Sequence, residues 1–224
     1  MESFVGITGL LFDLDGVLLD SERWHQRLNA KCLNDLGWND FDPKLLYYTV
    51  GSGKGVDPWR RIFSEAPEKY RNEEYKRIFR EYKHSQFDWV PFTEVIFPEV
   101  RTVLKRFKEK GYYMACCSSS KQEYIDKALS DCNIREYFEL VVTGHDFERS
   151  KPAPDIYLFA MNKLGLSHEE CLVVEDSAYG IQAGKKAKMQ VAARIDHEFG
   201  IDQSSADLLF EDLNELYQII TAQS

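Results

Sequence analysis

The sequence predicts an α/β protein: a doubly wound, parallel sheet with an α-helical cap domain inserted after its first strand. Two observations predict this fold. After Pro98, strand-like runs alternate with amphipathic runs of helix length, which is typical of a mostly parallel sheet with helices on both faces. From Ser21 to about His84, by contrast, the pattern is helical. The chain has 224 residues, enough for one large domain that carries an insertion.

The predicted elements follow in order along the chain. A first strand covers residues 7–13, where the apolar run is typical of a strand buried on both faces. The helical stretch after it is broken by turn-forming residues at Gly37, at Asp42 and Pro43, and in the glycine cluster 51–55. The remaining predicted helices are 98–110, 121–131, 154–164, 177–187 and 212–220. The remaining predicted strands are 112–117, 138–142, 171–175, 189–193 and 207–210.

The helical stretch divides the chain into two predicted domains. Residues 1–17 and 92–224 form the core domain, and residues 18–91 form the cap domain. Because two linkers join the domains, we expect a hinge between them. Ligands of doubly wound sheets bind beyond the carboxyl ends of the strands, so a mobile cap would cover a ligand bound there.

Composition and charge exclude several classes of protein. The net charge of −9 argues against a broad basic surface, so we expect no nucleic-acid partner and no binding to an anionic membrane. The five cysteines are an odd number without C-x-x-C spacing, which is typical of reduced thiols in the cytosol. No apolar stretch approaches the ~18 residues of a membrane span, and the N-terminus lacks the features of a signal peptide. We therefore expect a cytoplasmic protein, either a monomer or a small homo-oligomer.

Two carboxylates end the first predicted strand. In the stretch LLFDLDGVLLD, Asp13 and Asp15 are two positions apart, so their side chains point to the same face at the end of the strand. Two carboxylates ~4 Å apart repel each other by about 4 kcal/mol at an effective dielectric of 20. A proton, a lysine or a metal cation must therefore offset this repulsion.

Polar residues also follow the other predicted core strands. These residues are the serines 118–120 after the second strand, Lys151 after the third, and Glu175 and Asp176 at the end of the fourth. Because the carboxyl ends of parallel strands share one edge of a sheet, we expect all these groups to converge there. Four carboxylates favour a hard divalent cation, and Mg²⁺ is the expected cofactor. A hydroxyl at a helix start, together with a lysine, suits phosphate oxygens.

Taken together, these motifs resemble the haloacid dehalogenase superfamily of phosphotransferases. Within it, the closest pattern is that of the β-phosphoglucomutase-like members, which insert a helical cap into a Rossmann-like core. The string FDLDGVLLDS is similar to the first motif of the family, Ser118 to the second, Lys151 in SKPAPDIY to the third, and EDSAYGIQAG to the fourth. The resemblance covers essentially the whole chain. Two positions depart from it, since Glu99 and Lys188 stand where the family usually has glycine.

The resemblance implies a role for each matched residue. Asp13 would take up the phosphoryl group as the nucleophile, and Asp15 would act as general acid and base. Ser118, Ser119 and Lys151 would bind the phosphate. The implied ligands of Mg²⁺ are Asp13, Glu175, Asp176 and the main-chain oxygen of Asp15.

Two residues of the insertion are candidates for substrate contacts. His25 stands five residues after Asp20, where sugar-phosphate mutases of this family place a cap histidine; the alternative is a histidine packed beside Trp24. Lys54 lies in GSGKG, which has neither P-loop spacing nor a preceding strand and is typical of a flexible loop. The other aromatic and basic residues considered in the insertion receive no role: Tyr47, Tyr48, Trp59, Lys83 and His84.

The sequence therefore predicts a Mg²⁺-dependent phosphatase that acts on a small phosphorylated metabolite, a sugar phosphate, through an aspartyl-phosphate at Asp13. The main alternative is a sugar phosphomutase with the same core, and His25 keeps it open. Dehalogenation is disfavoured because it needs neither Asp15 nor a metal. A signalling receiver module is disfavoured because receivers carry no insertion of this size and have the acceptor aspartate on a later strand. A calcium loop is excluded, since Val17 and Trp24 would occupy its ligand positions.

Overall fold

A computed structural model of the chain describes residues 4–50, 57–86 and 90–222, without the side chains of His84 and Gln86. Its centre is a parallel sheet whose strands are β1 (Gly9–Phe12), β2 (Tyr113–Ser118), β3 (Leu140–Thr143), β4 (Cys171–Glu175), β5 (Gln190–Arg194) and β6 (Leu208–Phe210). The strand order is β3-β2-β1-β4-β5-β6. Because β1 lies between β2 and β4, the residues that follow it lie at the middle of the carboxyl edge.

Nine α-helices lie within the described residues: α1 (Ser21–Asp35), α2 (Pro58–Glu65), α3 (Glu73–Gln86), α4 (Phe92–Val95), α5 (Val100–Glu109), α6 (Gln122–Asp131), α7 (Asp155–Leu164), α8 (Ala178–Lys186) and α9 (Leu213–Thr221). Short 3₁₀ turns cover Pro43–Thr49, Glu68–Tyr70, Arg135–Tyr137 and Gly144–Asp146. Among these helices, none combines the length and apolar character needed to cross a lipid bilayer.

Both faces of the sheet are buried under helices, which confirms the predicted doubly wound α/β fold. Leu10 and Phe12 of β1 belong to a hydrophobic core shared with α5, α6 and α9. Leu11 points the other way, into a second core shared with α7 and α8. This alternation explains why the strand reads as a continuous apolar run: every one of its side chains is removed from water.

Several predicted boundaries differ from the structure by one to three residues. The first strand, predicted over 7–13, is limited to β1, so Asp13 lies just beyond the pairing. The helix predicted over 98–110 is limited to α5, because Pro98 and Glu99 precede its first turn. Asp42 and Pro43, predicted as a break between helices, also begin a 3₁₀ turn. Asp42 caps this turn, because its side chain accepts a hydrogen bond from the Lys44 N–H at 2.9 Å. The glycine cluster 51–55 lies outside the described residues.

The insertion has a hydrophobic cluster of its own. This cluster is separate from the two cores that flank the sheet, and its buried members include Leu33, Trp38, Ile62, Phe63 and Phe79. Trp24 of α1 packs against this cluster and also against the core under α5. A hydrophobic core of its own is a property expected of a separate cap domain. The boundaries of that domain at residues 18–91 stay a prediction.

The chain leaves the core and returns to it along two adjacent segments. The Asp20 N–H donates to the Val95 carbonyl at 2.7 Å, and the Phe97 N–H donates to the Leu18 carbonyl at 3.2 Å. The connections to the insertion are therefore hydrogen-bonded to each other beside the carboxyl edge of the sheet.

The two departures from the family's glycines are both accommodated. Lys188 adopts a left-handed conformation with φ of 60°, so lysine itself forms the helix exit that glycine usually provides. This conformation costs a non-glycine residue roughly 1–2 kcal/mol. Glu99 forms an ion pair with Arg194 at the end of β5, which gives this buried arginine a carboxylate partner.

Candidate active site

The side chains predicted from separate strand ends surround one cavity of about 220 Å³ at the carboxyl edge of the sheet. The predicted residues that line it are Asp13, Asp15, His25, Ser118, Ser119, Lys151 and Asp176. Glu175 has no exposed surface and lies behind the cavity wall. Lys54 lies outside the described residues.

Asp13 extends the line of β1 into the cavity. Its N–H donates to the Val174 carbonyl at 2.9 Å, which fixes the backbone at the middle of the sheet. Its Oδ1 accepts a hydrogen bond from Lys151 Nζ at 2.6 Å. Burial raises the pKa of Asp13 to about 8, against the opposing effect of Lys151.

Lys151 is a buried cation with three partners. Its Nζ lies 2.6 Å from Asp13 Oδ1, 2.6 Å from Glu175 Oε1 and 3.0 Å from the Cys117 carbonyl. An ammonium has three N–H donors, so all of them are used. Although burial acts to lower it, Asp13 and Glu175 raise the pKa of Lys151 well above its ordinary value, which keeps the side chain charged.

Glu175 holds Lys151 and the turn that follows β4. Its Oε1 accepts hydrogen bonds from Lys151 and from the Tyr157 hydroxyl at 2.8 Å. Its Oε2 accepts from the N–H groups of Asp176 and Ser177 at 3.0 and 3.1 Å, and from the Ser177 hydroxyl at 3.1 Å. Although burial acts to raise it, Lys151 and these donors lower the pKa of Glu175, so it is an anion.

Three carboxylates form a group that fits a divalent cation. Asp13, Glu175 and Asp176 each offer an oxygen, and these oxygens lie within 4.8 Å of one another. Burial, together with Glu175 and Asp13, raises the pKa of Asp176 well above its usual value. Lys151 alone therefore does not neutralise the group. A hard cation that prefers oxygen ligands would supply the missing positive charge, so the donor set fits such an ion.

The carboxylate of Asp15 lies outside this group and is held by three hydroxyls. Its Oδ1 accepts hydrogen bonds from Ser21 Oγ at 2.5 Å and from the Tyr124 hydroxyl at 2.9 Å. Its Oδ2 accepts from Ser120 Oγ at 2.9 Å. The two aspartates thus have different surroundings, since Asp13 contacts a cation whereas Asp15 contacts neutral donors.

The serines 118–120, of which Ser118 is the last residue of β2, form another wall of the cavity. Ser118 is buried, and its Oγ accepts a hydrogen bond from the Ser120 N–H at 3.0 Å, which closes a tight turn. Ser119 lines the cavity beside it. The Thr143 hydroxyl at the end of β3 donates to the Ser120 carbonyl at 2.7 Å and supports the same turn.

Residues of the insertion complete the cavity from the other side. His25 of α1, Trp59 of α2 and Lys83 of α3 all line it. They also line an adjoining cavity of about 690 Å³, which includes Arg80 and Lys121 and so presents several basic groups. Burial lowers the pKa of His25, against the opposing effect of Asp15.

Sequence reasoning missed several of these residues. Tyr157 stands in the string SKPAPDIY, and Ser120 stands in the serine run, so a motif pointed to each position without indicating its contact. Lys83 had received no role. Ser21 ends the string FDLDGVLLDS, again without an indicated contact. For Tyr124 no motif signal exists, because its contact with Asp15 depends on how the chain folds back.

Comparisons with known proteins place the chain among its relatives. The family model described as haloacid dehalogenase-like hydrolase matches residues 10–194. The chain is 33% identical over 186 residues to the phosphoglycolate phosphatase of Aquifex aeolicus, covering 83% of this chain and 84% of that protein. It is 27% identical to hexitol phosphatase B of Escherichia coli, covering 82% of each.

Solved structures show the same relationship. The β-phosphoglucomutase of Clostridium difficile superposes with a TM-score of 0.74 and 25% identity, covering 97% of this chain and 96% of that one. The chain belongs to the haloacid dehalogenase-like hydrolase family, which confirms the family resemblance of its motifs.

Proposed function

We propose that this protein is a Mg²⁺-dependent phosphatase that hydrolyses a small phosphorylated metabolite, a sugar phosphate, through an aspartyl-phosphate at Asp13. The observation that carries the proposal is the convergence of Asp13, Lys151 and Asp176 on one cavity. The relatives named above include two phosphatases and a phosphoglucomutase, which supports phosphoryl transfer as the reaction class.

In the first step, a carboxylate oxygen of Asp13 attacks phosphorus in line with the leaving oxygen. The bond from phosphorus to the substrate oxygen breaks as the bond to Asp13 forms. Asp15 gives its proton to the leaving oxygen, so the product departs as a neutral alcohol. Lys151, Ser118 and Ser119 are the proposed partners of the phosphoryl oxygens, and Lys151 would exchange one of its present acceptors for that contact.

In the second step, a water attacks the phosphorus of the aspartyl-phosphate. Asp15, now ionised, takes a proton from this water while the bond between phosphorus and Asp13 breaks. Inorganic phosphate leaves, and both aspartates return to their starting protonation states. One carboxylate could not perform both roles, because the nucleophile must be ionised when the acid must be protonated.

The proposed Mg²⁺ ligands are Asp13, Asp176, Glu175 and the main-chain oxygen of Asp15. When bound, the ion would offset the negative charge of the carboxylates and of the phosphoryl group. Since Glu175 already accepts five hydrogen bonds, its proposed part is chiefly to hold Lys151 and Asp176 in place.

The rest of the substrate would lie toward the insertion. His25 and Lys83 line both cavities, so we propose that they face the part of the metabolite that is not transferred. A cytoplasmic location, a monomer or small homo-oligomer, and a cap domain over 18–91 that moves about its two linkers stay predictions of the sequence.

A sugar phosphomutase is the second candidate, because His25 lines the same cavity as Asp15. A mutase would return the phosphoryl group to the sugar instead of to water. Incubation with a sugar 1-phosphate separates the two functions: a 6-phosphate that accumulates with little free phosphate would contradict the hydrolase.

The decisive experiment is a screen of phosphorylated metabolites for release of inorganic phosphate, with Mg²⁺ and with EDTA. We expect Mg²⁺-dependent release from at least one sugar phosphate and its loss in Asp13→Asn. Asp146→Asn, at an exposed aspartate that does not line the cavity of about 220 Å³, is the matched control and should keep full activity. Full activity in Asp13→Asn would show that Asp13 is not the nucleophile.

A further inference from the structure

Tyr124 contacts the proposed acid and base from a part of the chain that no motif marks. It lies in the first turn of α6, 109 positions from Asp15, and its hydroxyl donates to Asp15 Oδ1 at 2.9 Å. Among the described residues, the side-chain hydrogen bonds of Asp13, Ser118 and Lys151 do not involve Tyr124. Its contact is with the carboxylate that must give a proton to the substrate.

Two other rings fix the direction of the Tyr124 side chain. Phe92, where the chain returns from the insertion, lies edge-on to it at 5.0 Å between ring centres and an angle of 81°. His25 of α1 stacks on it at 6.4 Å and 29°. A tyrosine has only two rotatable side-chain bonds, and both set the ring position, so these contacts also set the position of the hydroxyl oxygen.

The three hydroxyls around Asp15 are not equivalent. Serine hydroxyls rotate freely to donate or accept, whereas the Tyr124 oxygen is held by a packed ring. Among the residues that the structure describes, Oδ1 accepts two hydrogen bonds, from Ser21 and Tyr124, and Oδ2 accepts one, from Ser120. Oδ2 therefore has fewer donors around it than Oδ1, so it is the oxygen with more room to face a bound substrate.

We propose that Tyr124 is a positioning residue, which holds Asp15 so that Oδ2 presents its proton to the leaving oxygen of the substrate. The inference rests on the proposed phosphatase function and deepens it. During the first step the proton passes from Oδ2 to the leaving oxygen as the bond from that oxygen to phosphorus breaks. Tyr124 keeps its own proton throughout.

The test uses two substrates that differ in their need for this proton. An alkyl ester, such as a sugar phosphate that the enzyme hydrolyses, has a poor leaving group that must be protonated. The 4-nitrophenolate of 4-nitrophenyl phosphate, by contrast, leaves without a proton. In Tyr124→Phe the ring stays and only the hydroxyl is lost. We expect kcat/KM for the alkyl ester to fall about tenfold or more, with KM nearly unchanged, and kcat/KM for the aryl ester to fall less than about threefold.

Tyr137→Phe is the matched control, since Tyr137 is a half-buried tyrosine that packs against the core away from the cavity. It should leave both substrates unaffected. The thermal unfolding temperature of Tyr124→Phe should fall by no more than about 4 °C, as expected for the loss of one hydrogen bond. Equal losses on both substrates, or no loss on either, would overturn the proposal. If the wild-type enzyme hydrolyses neither ester with Mg²⁺, the phosphatase function fails instead, which is a distinguishable outcome.

Discussion

At the scale of single residues, the charges in the site do not balance. Asp13, Glu175 and Asp176 offer up to three negative charges, and Lys151 offers one positive charge in contact with two of them. Since an uncompensated buried charge is costly, the metal-free protein reduces the imbalance by binding protons. Accordingly, the pKa values of Asp13 and Asp176 are raised, and that of Glu175, which contacts Lys151, is lowered.

Asp13→Asn should change how the stability of the metal-free protein depends on pH. Because burial raises the pKa of Asp13 to about 8, its contribution to stability is fully present below the unfolded value near 4 and is lost as the pH rises through about 8. Asparagine does not titrate. The free energy of unfolding of the variant, relative to wild type, should therefore increase from pH 5 to pH 8, as measured by urea unfolding in EDTA.

Asp126→Asn, an exposed aspartate of α6, serves as the control for this measurement and should follow the wild-type curve. Parallel curves for Asp13→Asn and wild type would contradict the expected shift.

At the scale of elements, tight turns at the carboxyl edge place the site. Gly16 has φ of 82°, and a Cβ there would lie 2.0 Å from Asp176 Oδ2. Gly180 lies in the first turn of α8, and a Cβ there would lie 1.7 Å from Glu175 Oε1. The absence of a side chain at these positions lets the turn after β1 and the helix after β4 approach the buried carboxylates.

Gly180→Ala should therefore destabilise the protein and lower its activity. Alanine favours a helix over glycine by about 1 kcal/mol, so propensity alone predicts a more stable protein. The overlap with Glu175 has the larger effect, because Glu175 is buried and all its hydrogen bonds would have to shift. We expect a net loss of about 2 kcal/mol or more in the free energy of unfolding.

Gln182→Ala, an exposed position on the same helix, controls for helix propensity and should leave both quantities nearly unchanged. A Gly180→Ala variant that is more stable than wild type and fully active would refute the argument from close approach.

The elements themselves were largely predictable. The alternation of apolar runs located every strand of the core and every core helix except the four-residue α4, because burial on both faces leaves a continuous apolar signal in β1 and an amphipathic one in the helices. The ends were less predictable: hydrogen bonds to neighbouring strands decide where β1 stops, and these are not visible in a single sequence. The conformation of Lys188 was also not predictable from the sequence, since the folded protein holds this lysine at a positive φ that glycine prefers.

At the scale of the whole molecule, two of the contacts that join the insertion to the core are weak ones. Arg23 of α1 forms an ion pair with Glu198 at 2.7 Å, but the two side chains are 52% and 43% exposed. We therefore expect this pair to add at most ~1 kcal/mol to the free energy of unfolding. The Tyr47 ring lies edge-on to Phe199 at 5.2 Å. Contacts of this strength suit a cap that opens and closes, as the sequence predicts.

Mg²⁺ should stabilise the whole molecule, because its proposed ligands follow two different strands, β1 and β4. An ion that binds only the folded state at about 100 times its Kd adds about 2.7 kcal/mol. The unfolding temperature should therefore rise in Mg²⁺ relative to EDTA, and Asp176→Asn should lose most of this rise.

Asp146→Asn, which lies outside the acidic group, should keep the full effect of Mg²⁺. An undiminished rise in Asp176→Asn would mean that the ion binds elsewhere.

The sequence by itself determined the fold class, the family and the set of polar groups at the carboxyl edge, because apolar periodicity and short motifs are local properties of the chain. Only the tertiary structure decided the partners of those groups. Lys151 meets an aspartate 138 positions away, and Tyr124 meets Asp15 across 109 positions. Such pairs depend on strand order, helix packing and ring contacts acting together, and no short stretch of sequence contains that information.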